Sequence, residues 1–191
     1  KNFEKNIFDI IKNFKPEAIV IHSAISPGTT ENLQKKSSIP IIYSATRGLH
    51  KRMLSDLKRY TKFYAVDSKI PDALKISKLF RLRMKNVNVK TKKLSTPKTL
   101  ELAKIVVDTT YYGWLITYAQ LSNMIAIKNK VNYDEMWEFA EEIRKLLGNR
   151  PKMYPGFIGG HCVIPNLSLM ADDSFSQIDK INNVYAKKVK N

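Results

Sequence analysis

Apolar positions along this chain follow two alternating periods, one of a helix and one of a short buried strand. Phe3, Ile7, Ile10, Ile11 and Phe14 fall at helical spacing and predict an opening helix over 3–14, closed by Pro16. Residues 18–23 are a β-branched apolar run that suits a buried parallel strand. Ser26 and Pro27 then stand where a helix would be capped and begun. A second strand is predicted over 39–44, with Pro40 confined to its start. A helix over 47–60 turns Leu49, Met53, Leu54 and Leu57 inward, a third strand covers 62–66, a helix runs from Pro71 to about Met84, and a short fourth strand covers 87–89.

The pattern changes at Thr96. Leu100, Ala103, Val107, Tyr111, Trp114, Tyr118, Leu121 and Ile125 continue one helical stripe with no breaker but Gly113, which predicts a helix of roughly thirty residues. Asn132 and Glu135 make a capping-box-like start for a further helix, with Met136, Phe139, Ala140, Ile143 and Leu147 inward and Gly148 as its stop. Short helices near 167–171 and over 176–189 close the chain. Strands alternating with helices, then helices alone, give an α/β class: a partial Rossmann-like parallel sheet over 1–95, then a long central helix with an all-helical domain over 96–191.

Charge and composition narrow the function classes. The 191 residues carry 33 Lys plus Arg against 17 Asp plus Glu, a net +16 that attracts anions. The densest basic run is Lys90, Lys92, Lys93 and Lys98, read as an exposed connector. No zinc-finger spacing or RNP-like aromatic pair accompanies it, so nucleic acid ranks last among the partners. No apolar run is long enough to span a bilayer, which argues against a membrane partner. A single cysteine implies no disulfide framework and fits a reducing compartment, so a cytoplasmic location is expected. No metal-ligand spacing is present.

Candidate chemistry concentrates in residues 154–165. This stretch holds the one cysteine, Cys162, directly after Gly159, Gly160 and His161. Glycines let the backbone turn tightly, and a thiol placed after such a turn can be presented to a bound molecule. A tight loop ending in a small buried hydrophobe is the alternative reading of the same residues. In parallel α/β sheets the loops after the strands hold the ligand, which puts 23–30 and 44–50 on the functional edge. A helix start beside Gly28 offers amides to a phosphate. No Gly-x-Gly-x-x-Gly and no Walker loop occur.

Five strings in this order resemble the UDP-glucose/GDP-mannose dehydrogenase family. Ser23-Ala24-Ile25-Ser26-Pro27-Gly28-Thr29-Thr30 resembles its "STVPxGTT" loop, and residues 63–66 with 71–73 resemble its last Rossmann strand and following helix. Glu101-Leu102-Ala103-Lys104 is similar to its "AELAK", residues 133–143 to its "GIDVWEVIEAA", and Gly159-Gly160-His161-Cys162 to its "GGHC". The resemblance implies an NAD-dependent oxidation of a nucleotide sugar at C6, with Cys162 attacking the intermediate aldehyde and Lys104 stabilising an oxyanion. It places Gly159, Gly160, His161, Asp108 and Asn166 around the sugar, and Ser23, Pro27, Gly28 and Thr29 toward the cofactor. The long helix, with Tyr111, Tyr112, Trp114 and Tyr118, is the expected homodimer surface; packing on the 133–147 helix is the alternative.

Several family positions differ. Ala24 stands for the loop Thr, Thr46 for the catalytic Glu, Asp108 for an Asn and Gln120 for a mid-helix Glu. Asn166 stands for an Asp, or Leu167 if Val163 is an insertion. Acid/base groups typically contribute 10²–10⁴-fold each. A catalytically inactive homologue that binds a nucleotide sugar or a protein partner is therefore the alternative function.

Overall fold

The computed structural model describes residues 2–170 and 173–189, with His50 by its backbone alone. The chain forms two compact units, Lys1–Lys104 and Ile105–Asn191. The sequence changes character at residue 96, whereas the compact units divide after Lys104.

The first unit is an α/β sandwich. Strands β1 (Ile19–Ile21), β2 (Ile41–Tyr43), β3 (Lys62–Val66) and β4 (Thr91–Lys93) form one sheet in that order. Helices α1 (Asn2–Phe14), α2 (Thr29–Lys36) and α5 (Pro97–Leu102) cover one face, where Ile7, Leu33 and Leu100 meet Ile19, Ile41 and Tyr43. Helix α4 (Ala73–Asn86) covers the other, packing Ala73, Ile76 and Phe80 on Ile42, Tyr64 and Val66. Alternate residues of β2 thus serve opposite faces, as a strand's period of two requires.

Three local expectations are corrected here. The β1–β2 and β3–β4 pairs run parallel, but β2 and β3 are antiparallel, with Tyr43 opposite Ala65. The connection between β2 and β3 therefore reverses the chain at one end of the sheet instead of crossing a face. Its helix, α3 (Met53–Arg59), is only seven residues long and contributes to neither core cluster, so Leu49 and Leu54 are exposed. The fourth strand lies at Thr91–Lys93, not 87–89. Val87 caps α4 and Asn88 takes φ +59, so those residues form the turn that feeds the strand.

The second unit is helical. From α5 the helical path continues through a π-helical stretch, Ala103–Thr110, into α6 (Tyr111–Asn129). Thr96 caps the start of α5 through its hydroxyl, 3.1 Å from the Thr99 amide. Of the apolar stripe, Leu100 is buried and Val107, Tyr111, Tyr118 and Ile125 are exposed, while the buried side of the π-helical stretch and α6 is Thr109, Thr110, Gly113, Thr117 and Gln120. A π turn takes an extra residue per hydrogen-bonded loop, which rotates every later side chain out of phase with a 3.6-residue count. The main partner of α6 is α10 (Ser176–Val189).

The helix expected over 133–147 is two helices, α7 (Tyr133–Glu138) and α8 (Glu141–Leu147), broken at Phe139–Ala140. Asn132 does cap α7, accepting from the amides of Asp134 and Glu135. Gly148 ends α8 at φ +66. Neither helix buries a residue and Phe139 is 93% exposed, although Trp137 of α7 meets Tyr118 of α6 edge-on, with ring centroids 6.1 Å apart. The helix expected near 167–171 is α9, Val163–Leu167, and begins directly after Cys162; Ala171 lies outside the described residues.

Gly113 fixes how closely α6 and α9 approach. A Cβ there would stand 2.7 Å from Val163 Cγ1, inside any normal contact. Replacing a helical glycine by alanine gains about 1 kcal/mol of propensity, but overpacking a filled site costs roughly 1–3 kcal/mol. Gly113→Ala is expected to be net destabilising by about 1 kcal/mol in urea melts, and Val163→Ala in the same chain to restore the loss.

Candidate functional site

The glycine-rich loop is held from beneath by a buried amide network. Asn182 of α10 accepts the Ile158 amide at 2.7 Å and donates to the Ile158 carbonyl at 3.0 Å. Gln120 of α6 donates from Nε2 to the Asn182 Oδ1 at 2.9 Å and to the Gly156 carbonyl at 2.6 Å. Both side chains are fully buried. Ile158 itself enters a small apolar cluster with Val163 and Ile178. The loop's base is therefore fixed at 156 and 158, and Gly159 to Cys162 project beyond it.

Gly160 takes φ +78, a conformation that a side chain disfavours. The turn it makes leaves His161 and Cys162 exposed, and Cys162 is a free thiol. The reading of this cysteine as a buried hydrophobe is overturned; the small buried residue is its neighbour Val163, set against Gly113. Asn166 in α9 reaches Thr109 Oγ1 at 3.4 Å, which ties α9 to the residue after Asp108. A cleft of about 360 Å³ between α9 and α10 is lined by Ile164, Leu167, Met170, Phe175 and Asp179 among others, and Cys162 does not line it. The second unit thus brings together Gly159, Gly160, His161, Cys162 and Asn166. Asp108 is exposed and Lys104 half-buried, four residues apart in the π-helical stretch.

In the first unit the start of α2 is already filled. Glu101, fully buried in α5, accepts the Gly28 amide at 2.5 Å, the Thr30 amide at 2.9 Å and the Thr30 hydroxyl at 2.6 Å. Gly28 sits at φ +89 as the residue before the helix, so Ser26 and Pro27 do not begin it. The amides expected to meet a phosphate meet a carboxylate of the chain itself. Thr29 donates its hydroxyl to the Ser26 carbonyl at 2.6 Å, Ser23 is exposed and Pro27 half-buried.

Lys62, at the start of β3, was not singled out by the sequence pattern. Its ammonium is buried, and among the described residues its hydrogen-bond partners are the Thr46 hydroxyl at 3.3 Å and the Ala45 carbonyl at 3.5 Å. Burial, and then the charge of Arg47, lowers its pKa from 10.5 to about 8. The folded state therefore holds this proton less tightly than the unfolded state. The charge penalises folding below about pH 8 and the penalty is relieved as pH rises toward 10.5. Urea melts are expected to show wild-type stability gaining on Lys62→Met across that interval, with the variant the more stable of the two at neutral pH.

Asn182 and Glu101 were also missed, although both left a trace. Asn182 sits between Ile178 and Tyr185 on the buried stripe of α10, a polar residue where the period demands an apolar one. Glu101 follows Leu100 in an apolar turn. Among the described residues no group of three or more His, Cys, Asp or Glu could hold a metal ion, and no helix is long and apolar enough to cross a membrane.

No protein-family model matches the chain, and no curated protein matches it in sequence. Solved structures do match. UDP-D-ManNAc dehydrogenase from Pyrococcus horikoshii superposes with a TM-score of 0.75 at 20% identity, over 98% of this chain and 46% of that one. The fold is that of part of a nucleotide-sugar dehydrogenase. The native UDP-N-acetyl-mannosamine dehydrogenase Cap5O from Staphylococcus aureus gives a TM-score of 0.73 at 20% identity with the same coverage. GDP-mannose dehydrogenase from Pseudomonas aeruginosa gives 0.56 at 16%. The chain spans less than half the length of these nucleotide-sugar dehydrogenases. At such identities the likeness is one of fold, and it agrees with the resemblance carried by the Gly-Gly-His-Cys loop.

Proposed function

We propose that this chain is the thiol-bearing part of a nucleotide-sugar dehydrogenase-like protein, with Cys162 facing the sugar of a bound nucleotide sugar. One observation carries the reading: an exposed free thiol on a glycine turn whose base is fixed by Asn182 and Gln120. A turn held this rigidly positions a nucleophile without later reorganisation. In the step assigned to Cys162, the thiolate adds to the carbonyl carbon of a sugar aldehyde. A C–S bond forms, the carbonyl electron pair moves onto oxygen, and that oxygen takes up a proton. Lys104 is the residue assigned to stabilise the oxyanion, and Gly159, Gly160, His161, Asp108 and Asn166 the surroundings of the sugar. A homodimer through the exposed tyrosines of α6 belongs to the same proposal.

NAD is the oxidant the resemblance implies, with Ser23, Pro27, Gly28 and Thr29 toward it. The described residues do not by themselves fit a dinucleotide. They contain no glycine fingerprint, and Glu101 occupies the amides at the start of α2. No hydride transfer is therefore assigned to these residues. A binding homologue without turnover is the second reading, favoured by the commitment of the Gln120 amide to scaffolding and by Thr46 at the position of a catalytic Glu.

The test is NADH formation with a panel of UDP- and GDP-sugars, beside equilibrium dialysis of the same sugars. Binding with turnover that Cys162→Ala abolishes supports the first reading. Binding that leaves the alkylation rate of Cys162 unchanged favours the second. Neither binding nor turnover sinks both.

A further inference from the structure

Residues 73–98, which span α4 and β4, hold nine Lys and Arg and no Asp or Glu. All nine are exposed. The chain's ion pairs, such as Lys36–Glu4, Arg52–Asp56, Lys145–Glu141 and Lys152–Asp134, all lie outside this stretch among the described residues. Among the described residues none of these nine makes an ion pair or a side-chain hydrogen bond. Helix α4 sets them in order. Its Ala73, Ile76 and Phe80 are buried against the sheet, so at 3.6 residues per turn Leu74, Lys75, Lys78, Arg81, Leu82 and Lys85 form the opposite stripe. That stripe is four cations with two leucines, 81% and 54% exposed. Strand β4, at the edge of the sheet, adds Lys93, whose register partner Tyr64 lies on the α4 side of the sheet; Lys92, opposite Phe63, lies on the other side.

We propose that this face docks the chain peripherally on an anionic lipid surface. The unpaired cations match a negative surface, and the apolar side chains among them decide which kind. Leu74 and Leu82 gain by leaving water at the headgroup–acyl boundary. Against the phosphates of a nucleic acid they would gain nothing, and the face presents no aromatic ring on which a base could stack. The docking is superficial, since α4 keeps its other side in the protein core.

The test is co-sedimentation of the whole chain with vesicles of phosphatidylcholine alone and of phosphatidylcholine mixed with phosphatidylglycerol, with a labelled oligonucleotide measured in parallel. Binding is expected only to the anionic vesicles, falling as salt rises. Each cation near such a surface is worth roughly fivefold in partitioning, so the triple variant K78E/R81E/K85E is expected to lose at least about a hundredfold. The control K128E/K187E/K188E makes the same change in net charge in the second unit and should lose far less. Leu74→Ser with Leu82→Ser should cost about tenfold and leave the salt dependence unchanged. No vesicle binding, or equal losses from the two charge-reversed triples, would overturn the proposal. So would tight oligonucleotide binding that the leucine changes do not affect while vesicle binding is equally indifferent to them; the face would then be a nucleic-acid surface.

Discussion

Replacing Asn182 with leucine is expected to lower stability by about 3–5 kcal/mol while keeping the side chain's approximate volume. The substitution removes three hydrogen bonds at once, to the Ile158 amide, the Ile158 carbonyl and Gln120. Each buried polar group left without a partner costs roughly 1–3 kcal/mol, and the three losses are not additive because they share one network. For a chain of this size the midpoint of thermal unfolding should fall by roughly 10 °C, read by circular dichroism. The loop should suffer before the fold does. Hydrogen exchange at Ile158 and Gly159 is expected to accelerate more than exchange in α4, which belongs to the other unit. A Gln120→Leu change in the same background should cost little further, since its Nε2 will have lost one of its two acceptors already.

Glu101→Ala is the second large effect expected, and it falls in the first unit. One carboxylate satisfies the Gly28 amide, the Thr30 amide and the Thr30 hydroxyl in an interior with no exposed atom of Glu101 itself. Bonds to a charged acceptor are about twice as strong as neutral ones, and truncation leaves all three donors facing a cavity. A loss of about 3–5 kcal/mol follows, with the start of α2 and the 23–30 loop becoming the fastest-exchanging part of the unit. Glu101→Gln should recover only part of it, because the amide keeps one acceptor oxygen and turns an NH₂ toward donors. The variant also bears on function. If Glu101 closes the α2 amides to phosphate, then Glu101→Ala, once folded, should bind inorganic phosphate or sulfate more tightly than wild type, which differential scanning fluorimetry in those anions would register.

Much of this architecture is legible in the residues because it rests on local chemistry. Thr96 and Asn132 cap helices where their side chains can reach the amides two or three residues on, and Gly148 ends one because it accepts positive φ. The run at Ile41–Tyr43 is apolar throughout because both its faces are covered, whereas Ile19–Ile21 buries only Ile19 and Ile21 and leaves Val20 exposed. What the pattern could not give are choices made by distant partners. The antiparallel direction of β3 depends on where the chain reverses, and α3 is too short to show it. The inward face of α6 depends on a π-helical stretch that shifts the phase of a simple 3.6-residue count. The division into α7 and α8 is a break at Phe139–Ala140 that no glycine or proline marks. At the site, the Gly-Gly-His-Cys string was visible by itself, but its anchors Gln120 and Asn182 lie in two other helices and pair only in three dimensions.

The most direct measurement is the rate at which iodoacetamide alkylates Cys162, followed by intact mass with and without UDP- and GDP-sugars. An exposed thiol on a fixed turn predicts labelling of the folded chain, slowed by at least one nucleotide sugar. Labelling that begins only when urea unfolds the protein, or that no nucleotide sugar slows, would contradict the assignment of Cys162 to a sugar-facing site.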